Sequence, residues 1–340
     1  MRVSPILRRR WQAFRSHKRG WVSFCLLGFV CLVVLCAPFV ANEKPLMVSY
    51  DNQLYFPIFR SYPETVFGGS LSTETQYRES YIQEKIKEKG GWILFPPIPY
   101  SFYTVNYDSL SPAPAPPSAD NWLGTDDQGR DVLARLIYGM RTSLFFSFTL
   151  TFFSLIIGLF LGAVQGYCGG WVDLLGQRFL EMWAGLPVLY VLIILSSMIE
   201  PHVGWLLITM LMFSWLPLVH VVRAEFLRAR HMDYVQAARV LGVPTWAVIF
   251  RHILPNAMVT TLTYIPFKLN YAIITLTSLD FLGFGLPPGS ASLGELIHQG
   301  KNNIYAPWLG LTAFFALAFL LTLLVFVGEA VREAFDPQKS

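Results

Sequence analysis

Of 340 residues, 54% are hydrophobic and 14% are charged, the composition of an integral membrane protein with room for several spans and one modest aqueous domain. The net charge of +4 does not point to nucleic acid, because the basic residues cluster beside apolar runs. Cys25, Cys31 and Cys36 lie in the first apolar run and Cys168 in a short loop, so no disulfide framework or metal site follows.

Residues 1–20 carry Arg2, Arg8, Arg9, Arg10, Arg15, Lys18 and Arg19 and no acid, and residues 21–40 then run without a charge, about one bilayer span. A secretory signal would have a shorter apolar core and a clean small-residue cleavage site. The first domain, residues 1–41, is therefore an uncleaved anchor with its N-terminus in the cytoplasm. Residues 42–141 mix lysines, glutamates, prolines and tyrosines, and no apolar run among them is long enough to span. They form an extracytoplasmic insertion of unknown fold. Within it, a polar helix is predicted over 72–89, a strand or extended segment over 92–99 and a polyproline-like linker at SPAPAPPS, 111–118. Two roles stay open for this domain: it packs over the membrane domain, or it helps receive a partner or substrate.

The third domain, residues 142–340, holds five further spans. NWLGTDDQGRDVLARLIYGMRTSL (121–144) leads into the first of them. Its Asp126, Asp127, Arg130 and Asp131 either form a polar network or are solvated. The span over 142–165 carries Gly158, Gly162 and Gly166 every four residues, a row that permits close helix approach within lipid. YCGGWVD (167–173) reads as a tight turn. Spans follow over 180–199, kinked at Pro187, and over 203–222, after an outer turn of Glu200, Pro201 and His202. His220 reads as a helix-end or packing residue. Further spans are predicted over 256–279 and 305–328. Lys268 lies within the former and is costly to expose to lipid. It faces a partner helix or aqueous path, or it snorkels or pairs at a subunit interface.

The polar stretch between the apolar runs, DYVQAARVLGVPTWAVIFRHILP (233–255), is built to pack. Tyr234, Ala237, Ala238 and Leu241 share one helical face, with Asp233, Gln236 and Arg239 off it. Gly242 ends that helix in a left-handed turn. Pro244 suits the first turn of a second helix, Trp246, Ile249, Phe250 and Ile253 repeat the spacing, and Pro255 marks its end. Arg223, Arg228, Arg230, Arg239 and Arg251 outnumber Glu225 and Asp233, which places the loop over 223–256 in the cytoplasm. The stretch either rests on lipid and on the chain's own helices or inserts into a partner's groove. Six spans put both termini inside.

QAARVLG followed by HILP resembles the EAA motif loop of ABC-importer permeases: Ala237, Ala238, Gly242, Leu254 and Pro255 match, and Gln236 replaces the usual Glu. LGTDDQGRD resembles the stretch that precedes this span in dipeptide and oligopeptide permeases. SLDFLGFGLPPGSASLGELI (278–297) and GEAVREAFDP (328–337) resemble that family's last outer loop and its cytoplasmic ending. ANEKPLMVSYDNQLYFP (41–57) is most similar to the Yej-type branch, permeases for peptides including microcin C. The resemblance implies an all-α integral membrane protein of six transmembrane helices in the bacterial inner membrane, one permease of an ATP-driven peptide importer. Asp233, Tyr234, Gln236, Ala237, Ala238, Leu241, Gly242, Arg251, Leu254 and Pro255 would form its coupling helix region. The implied partners are a second permease, ABC ATPase subunits carrying ATP and Mg, an extracytoplasmic solute-binding protein, a peptide substrate and the lipid membrane, with no nucleic acid. No zinc motif or nucleophile elbow occurs, so no catalytic residue, metal or cofactor is assigned to this chain. The alternative from another class is a membrane receptor or enzyme that acts through its extracytoplasmic domain.

Overall fold

The computed structural model describes residues 5–107, 111–199 and 202–335. In chain order the main elements are α1 (Pro5–Ser16), α2 (Lys18–Leu35), β1 (Met47–Tyr50), β2 (Gln53–Tyr55), α3 (Ser80–Glu88) and β3 (Trp92–Leu94). Then follow α4 (Val132–Cys168), α5 (Gly170–Ala184), α6 (Val188–Met198), α7 (Val203–Ser214), α8 (Leu216–Ala229) and α9 (Asp233–Val240). The chain closes with α10 (Leu254–Phe281), α11 (Leu293–Asn302) and α12 (Pro307–Phe335). It packs as two compact units: Leu144–Pro287 with Met1–Leu27 and Ala318–Ser340, and Gly28–Ser143 with Pro288–Leu317. These units cut across a linear division at residues 41 and 141.

Helices occupy all six predicted span positions. Four are long and apolar enough to cross a membrane: Lys18–Leu35, Val132–Cys168, Val203–Ala229 and Pro307–Phe335. A fifth candidate is the pair α5 and α6, bent by 64°. The kink expected at Pro187 is thus a full break, with Gly185 and Leu186 outside either helix and Pro187 at the N-cap of α6. Helix α10 has the length, at 28 residues, but Lys268 and Asn270 dilute its apolar run. The predicted turn after α4 is tight: Gly169 and Gly170 both have positive φ, 65° and 53°. Glu200, Pro201 and the chain end from Asp336 onward lie outside the described residues.

In the first unit the glycine row of α4 meets α8. A Cβ added at Gly158 would come 2.6 Å from Leu218, one at Gly162 2.7 Å from Val222, and one at Gly166 2.6 Å from Phe226. The fourfold spacing on one helix matches the fourfold spacing on the other, so the backbones approach where a side chain would stand. A bidentate ion pair between Arg223 and Asp173, with Nη2 to Oδ2 at 2.6 Å, ties α8 to α5. Phe14 of α1 is buried against Ala330 and Ala334 of α12.

The second unit adds a sheet to a mostly helical chain, in the insertion whose fold the sequence leaves open, and β3 falls within the strand or extended segment expected over 92–99. Its β1, β2 and β3 form an antiparallel sheet in the order β2-β1-β3. The two-residue turn between β1 and β2 uses Asp51 and Asn52 at φ 48° and 58°, residues that tolerate the left-handed region a hairpin turn needs. Behind the sheet, Val48, Phe67, Tyr77, Ile82 and Ile86 are buried together. Edge-on rings of Tyr50, Tyr55 and Tyr77 surround Phe67 at 5.2–5.6 Å. The polar helix predicted over 72–89 is confined to α3. Thr73 and Thr75 bond the backbone of Glu64 and Tyr62 instead, and that pairing holds their stretch extended.

The acidic and basic residues before α4 form a buried network rather than a solvated cluster. Asp126, fully buried, accepts from the Arg130 guanidinium (Nε, 2.7 Å) and from the N–H groups of Gln128 and Arg130. It also lies 3.3 Å from Arg135 Nε. Arg135, equally buried, donates to the carbonyls of Phe102, Gly289 and Ser290. Asp131 accepts from Asn121 and from the N–H of Ala134, which anchors the start of α4. Burial pushes its carboxyl up against those bonds.

Two outcomes follow from this packing. Gly162→Val should lower stability by about 1–3 kcal/mol through overpacking, read as a drop in the melting midpoint of the detergent-extracted protein. Gly28→Ala, where an added Cβ meets nothing within 4 Å, should leave it unchanged. Asp126→Asn should destabilise the second unit by about 3–5 kcal/mol, because two buried arginines lose their counter-charge. Hydrogen exchange at the Asn121 and Ala134 amides reads that loss, and the exposed Asp127→Asn serves as the control.

Candidate functional site

The predicted coupling stretch joins α8 to α10. Helix α9 ends in a complete Schellman motif: Gly242 N–H donates to the Arg239 carbonyl and Val243 N–H to the Ala238 carbonyl, both at 3.0 Å. This closure needs a residue in the left-handed region, and Gly242 has φ 75°. Pro244 starts the next turn, Thr245–Ala247, which passes into a π-helical segment, Val248–Ile253, and then into α10. The expected second short helix therefore does not end at Pro255. That proline stands in the first turn of α10, where its missing N–H is tolerated.

The stretch has two apolar faces, and their division differs from the spacing-based expectation. Val235, Ala238, Val248 and Ile253 pack inward with Leu218, Val222, Phe226 and Ala257. Of the predicted face of α9 only Ala238 is buried, and of the repeat predicted after it Ile253 is buried. Tyr234, Ala237 and Leu241 are exposed, as are Trp246 and Phe250 from the second segment. Leu241 is 82% exposed and Val240, missed by the sequence reading, 87%. Helical spacing identifies apolar stripes but not which one the chain itself covers, and the signal for Val240 was its apolar character beside the assigned stripe.

The polar members are placed around these faces. Gln236 donates to the His231 carbonyl at 3.1 Å, and the Arg239 guanidinium lies 4.8 Å from the Tyr167 ring centre. Asp233, Arg251 and Pro255 are exposed, and Leu254 is half-buried against the inward cluster. Among the described residues, no group of three or more His, Cys, Asp or Glu could hold a metal ion.

Lys268 lies apart from this stretch. It is buried, and its ammonium donates to the carbonyl of Ser214. The acceptor is free because Pro217 interrupts the ladder: Leu218 and Val219 N–H both bond Trp215 instead. The Ser214 hydroxyl pairs with that of Ser154. The structure thus brings Lys268, Ser214 and Ser154 together between helices of this chain. Sequence reading found the lysine through its cost in lipid but not the serines.

The sequence model for the N-terminal TM domain of oligopeptide transport permease C matches residues 5–57. The chain is 52% identical to the peptidoglycan transport system permease protein YejE of Agrobacterium fabrum, covering 99% of this chain and 94% of that protein. It is also 52% identical to the inner membrane ABC transporter permease protein YejE of Escherichia coli, covering 100% and 99%. The dipeptide transport system permease protein DppC of Bacillus subtilis is 33% identical over 69% of this chain and 74% of its own length. Residues 136–340 match the model for the binding-protein-dependent transport system inner membrane component. The chain belongs to that family: it is a multi-pass inner-membrane transport permease subunit rather than an enzyme.

Proposed function

We propose that this permease carries peptides as one half of a six-plus-six-span pair, and that residues 233–255 couple it to an ATPase. The peptide assignment rests on relatives named for dipeptide and oligopeptide transport, and the Yej-type likeness extends it to peptide antibiotics such as microcin C. In this reading both termini lie in the cytoplasm and the sheet-bearing insertion lies outside, beneath a solute-binding protein. ATP and Mg sit on separate ATPase subunits, and this chain binds no cofactor.

One observation carries the coupling role. Val240, Leu241, Trp246 and Phe250 are exposed apolar side chains on a polar-flanked stretch whose other apolar positions are already packed inward. A short helical element with unfilled apolar anchors suits a groove on a partner. Each ATP state of that partner would favour one arrangement of the spans, so docking transmits the switch. The Asp233, Gln236 and Arg251 side chains rim the dock. Lys268 acts as a brace within the chain, and a path-lining role would require it to leave the Ser214 carbonyl.

Leu241→Asp should leave membrane abundance unchanged and reduce co-purification of the ATPase by about tenfold or more, the effect of losing a central apolar anchor. Gly242→Val should strain the turn by roughly 1–2 kcal/mol and uncouple peptide uptake at normal abundance. No added Cβ clash contributes there. Normal uptake and normal ATPase recovery in both variants would count against the coupling role.

A further inference from the structure

A second feature of the first unit has no part in docking. A cleft of about 690 Å³ opens beside the coupling stretch, where several helix ends meet. Helix α1 supplies Arg10, the last turn of α8 supplies Arg228, and the last turn of α12 supplies Arg332. Asn256 and Thr260 line it from the start of α10. Among the described residues the one carboxylate in the lining is Glu225, which accepts a hydrogen bond from Thr260 at 3.1 Å. Among the described residues, none of the three arginines has a carboxylate within ion-pair distance. The guanidinium of Arg10 lies 4.6 Å from the ring centre of Phe335, which also lines the cleft.

We propose that this cleft binds the headgroup of an anionic phospholipid. Arginine forks match phosphate oxygens, and three of them around one engaged carboxylate leave an excess of positive charge. The location selects lipid over a soluble anion. Arg228 and Arg332 stand at the ends of the apolar helices Val203–Ala229 and Pro307–Phe335, and Arg10 stands just before Lys18–Leu35. That is the level at which headgroups lie. Apolar walls from Val259, Ala257 and Phe335 suit the glycerol and upper acyl region. Tyr234 lines the same cleft and its hydroxyl lies 3.3 Å from Asn256 Nδ2, so the bound headgroup would abut the first turn of the coupling stretch. The proposal rests on membrane placement alone and does not need the coupling role.

The test is native mass spectrometry of the intact transporter complex, taken from nanodiscs of phosphatidylcholine with a minor share of phosphatidylglycerol. The wild type should retain phosphatidylglycerol. Arg228→Gln should lower that retention about fivefold, the effect of one arginine near an anionic surface, and Arg10→Gln/Arg228→Gln/Arg332→Gln should abolish it. The Arg8→Gln/Arg9→Gln pair, on the same terminal helix but outside the cleft, should retain it. Equal retention in Arg228→Gln and wild type, or equal loss in the Arg8/Arg9 pair, would overturn the proposal. Inorganic phosphate binding in pure phosphatidylcholine discs, with the same dependence on Arg228, would assign the cleft to a soluble anion instead.

Discussion

The close approach of α4 and α8 sets where the rest of the first unit's core can stand. Gly158, Gly162 and Gly166 remove side chains where Leu218, Val222 and Phe226 need to stand. The same three α8 residues then form the floor on which Val235, Ala238, Val248 and Ile253 rest. Within lipid, apolar contact alone gives little preference for helix association, so close van der Waals packing must supply it. The seam fixes α8, α8 fixes the inner face of the coupling stretch, and the outer face is left presented. The Schellman closure at Gly242 holds the angle between the two halves of that presentation.

Buried charge sets the second constraint. Asp126, Arg130 and Arg135 are all out of solvent, and each would be prohibitive alone. Together they tie the loop before α4 to the carbonyls of Phe102, Gly289 and Ser290, segments far apart in sequence. Lys268 follows the same rule with a different partner, a backbone carbonyl released by the Pro217 break. In both places a polar group that looks functional in isolation has a partner inside the chain. The cleft around Arg10, Arg228 and Arg332 differs because, among the described residues, no carboxylate stands within ion-pair distance of these arginines.

Much of this was legible in the sequence, and the limits have physical causes. The glycine row, a bend at Pro187, the left-handed Gly242 and helix at the predicted span positions follow from period, proline and glycine, which act locally. Of the insertion's sheet only β3, within the strand or extended segment over 92–99, was legible, because β1 and β3 are short and are paired across more than forty residues. The helix over 72–89 was overextended because Thr73 and Thr75 bond a distant loop rather than their own turn. In the coupling stretch the apolar positions were right and their assignment was rotated. Tyr234 and Leu241 share a face as cleanly as Val235 and Ala238 do with their neighbours, and only the position of α8 decides which face is covered. Pro255 was read as a stop, yet the π-helical segment before it lets the chain enter α10 without a break.

The claim that the outer face of this stretch is a docking surface is tested most directly by thiol labelling. Val240→Cys, Leu241→Cys and Trp246→Cys would be made singly in a background without the four native cysteines, with Ala238→Cys as the inward-facing control. In membranes lacking the ATPase, the first three should label readily and the fourth slowly. Restoring the ATPase should slow labelling at Val240→Cys, Leu241→Cys and Trp246→Cys by about tenfold or more and leave Ala238→Cys as it was, as expected for anchors desolvated in an interface. Unchanged labelling at all three outer positions with the ATPase bound would contradict the account.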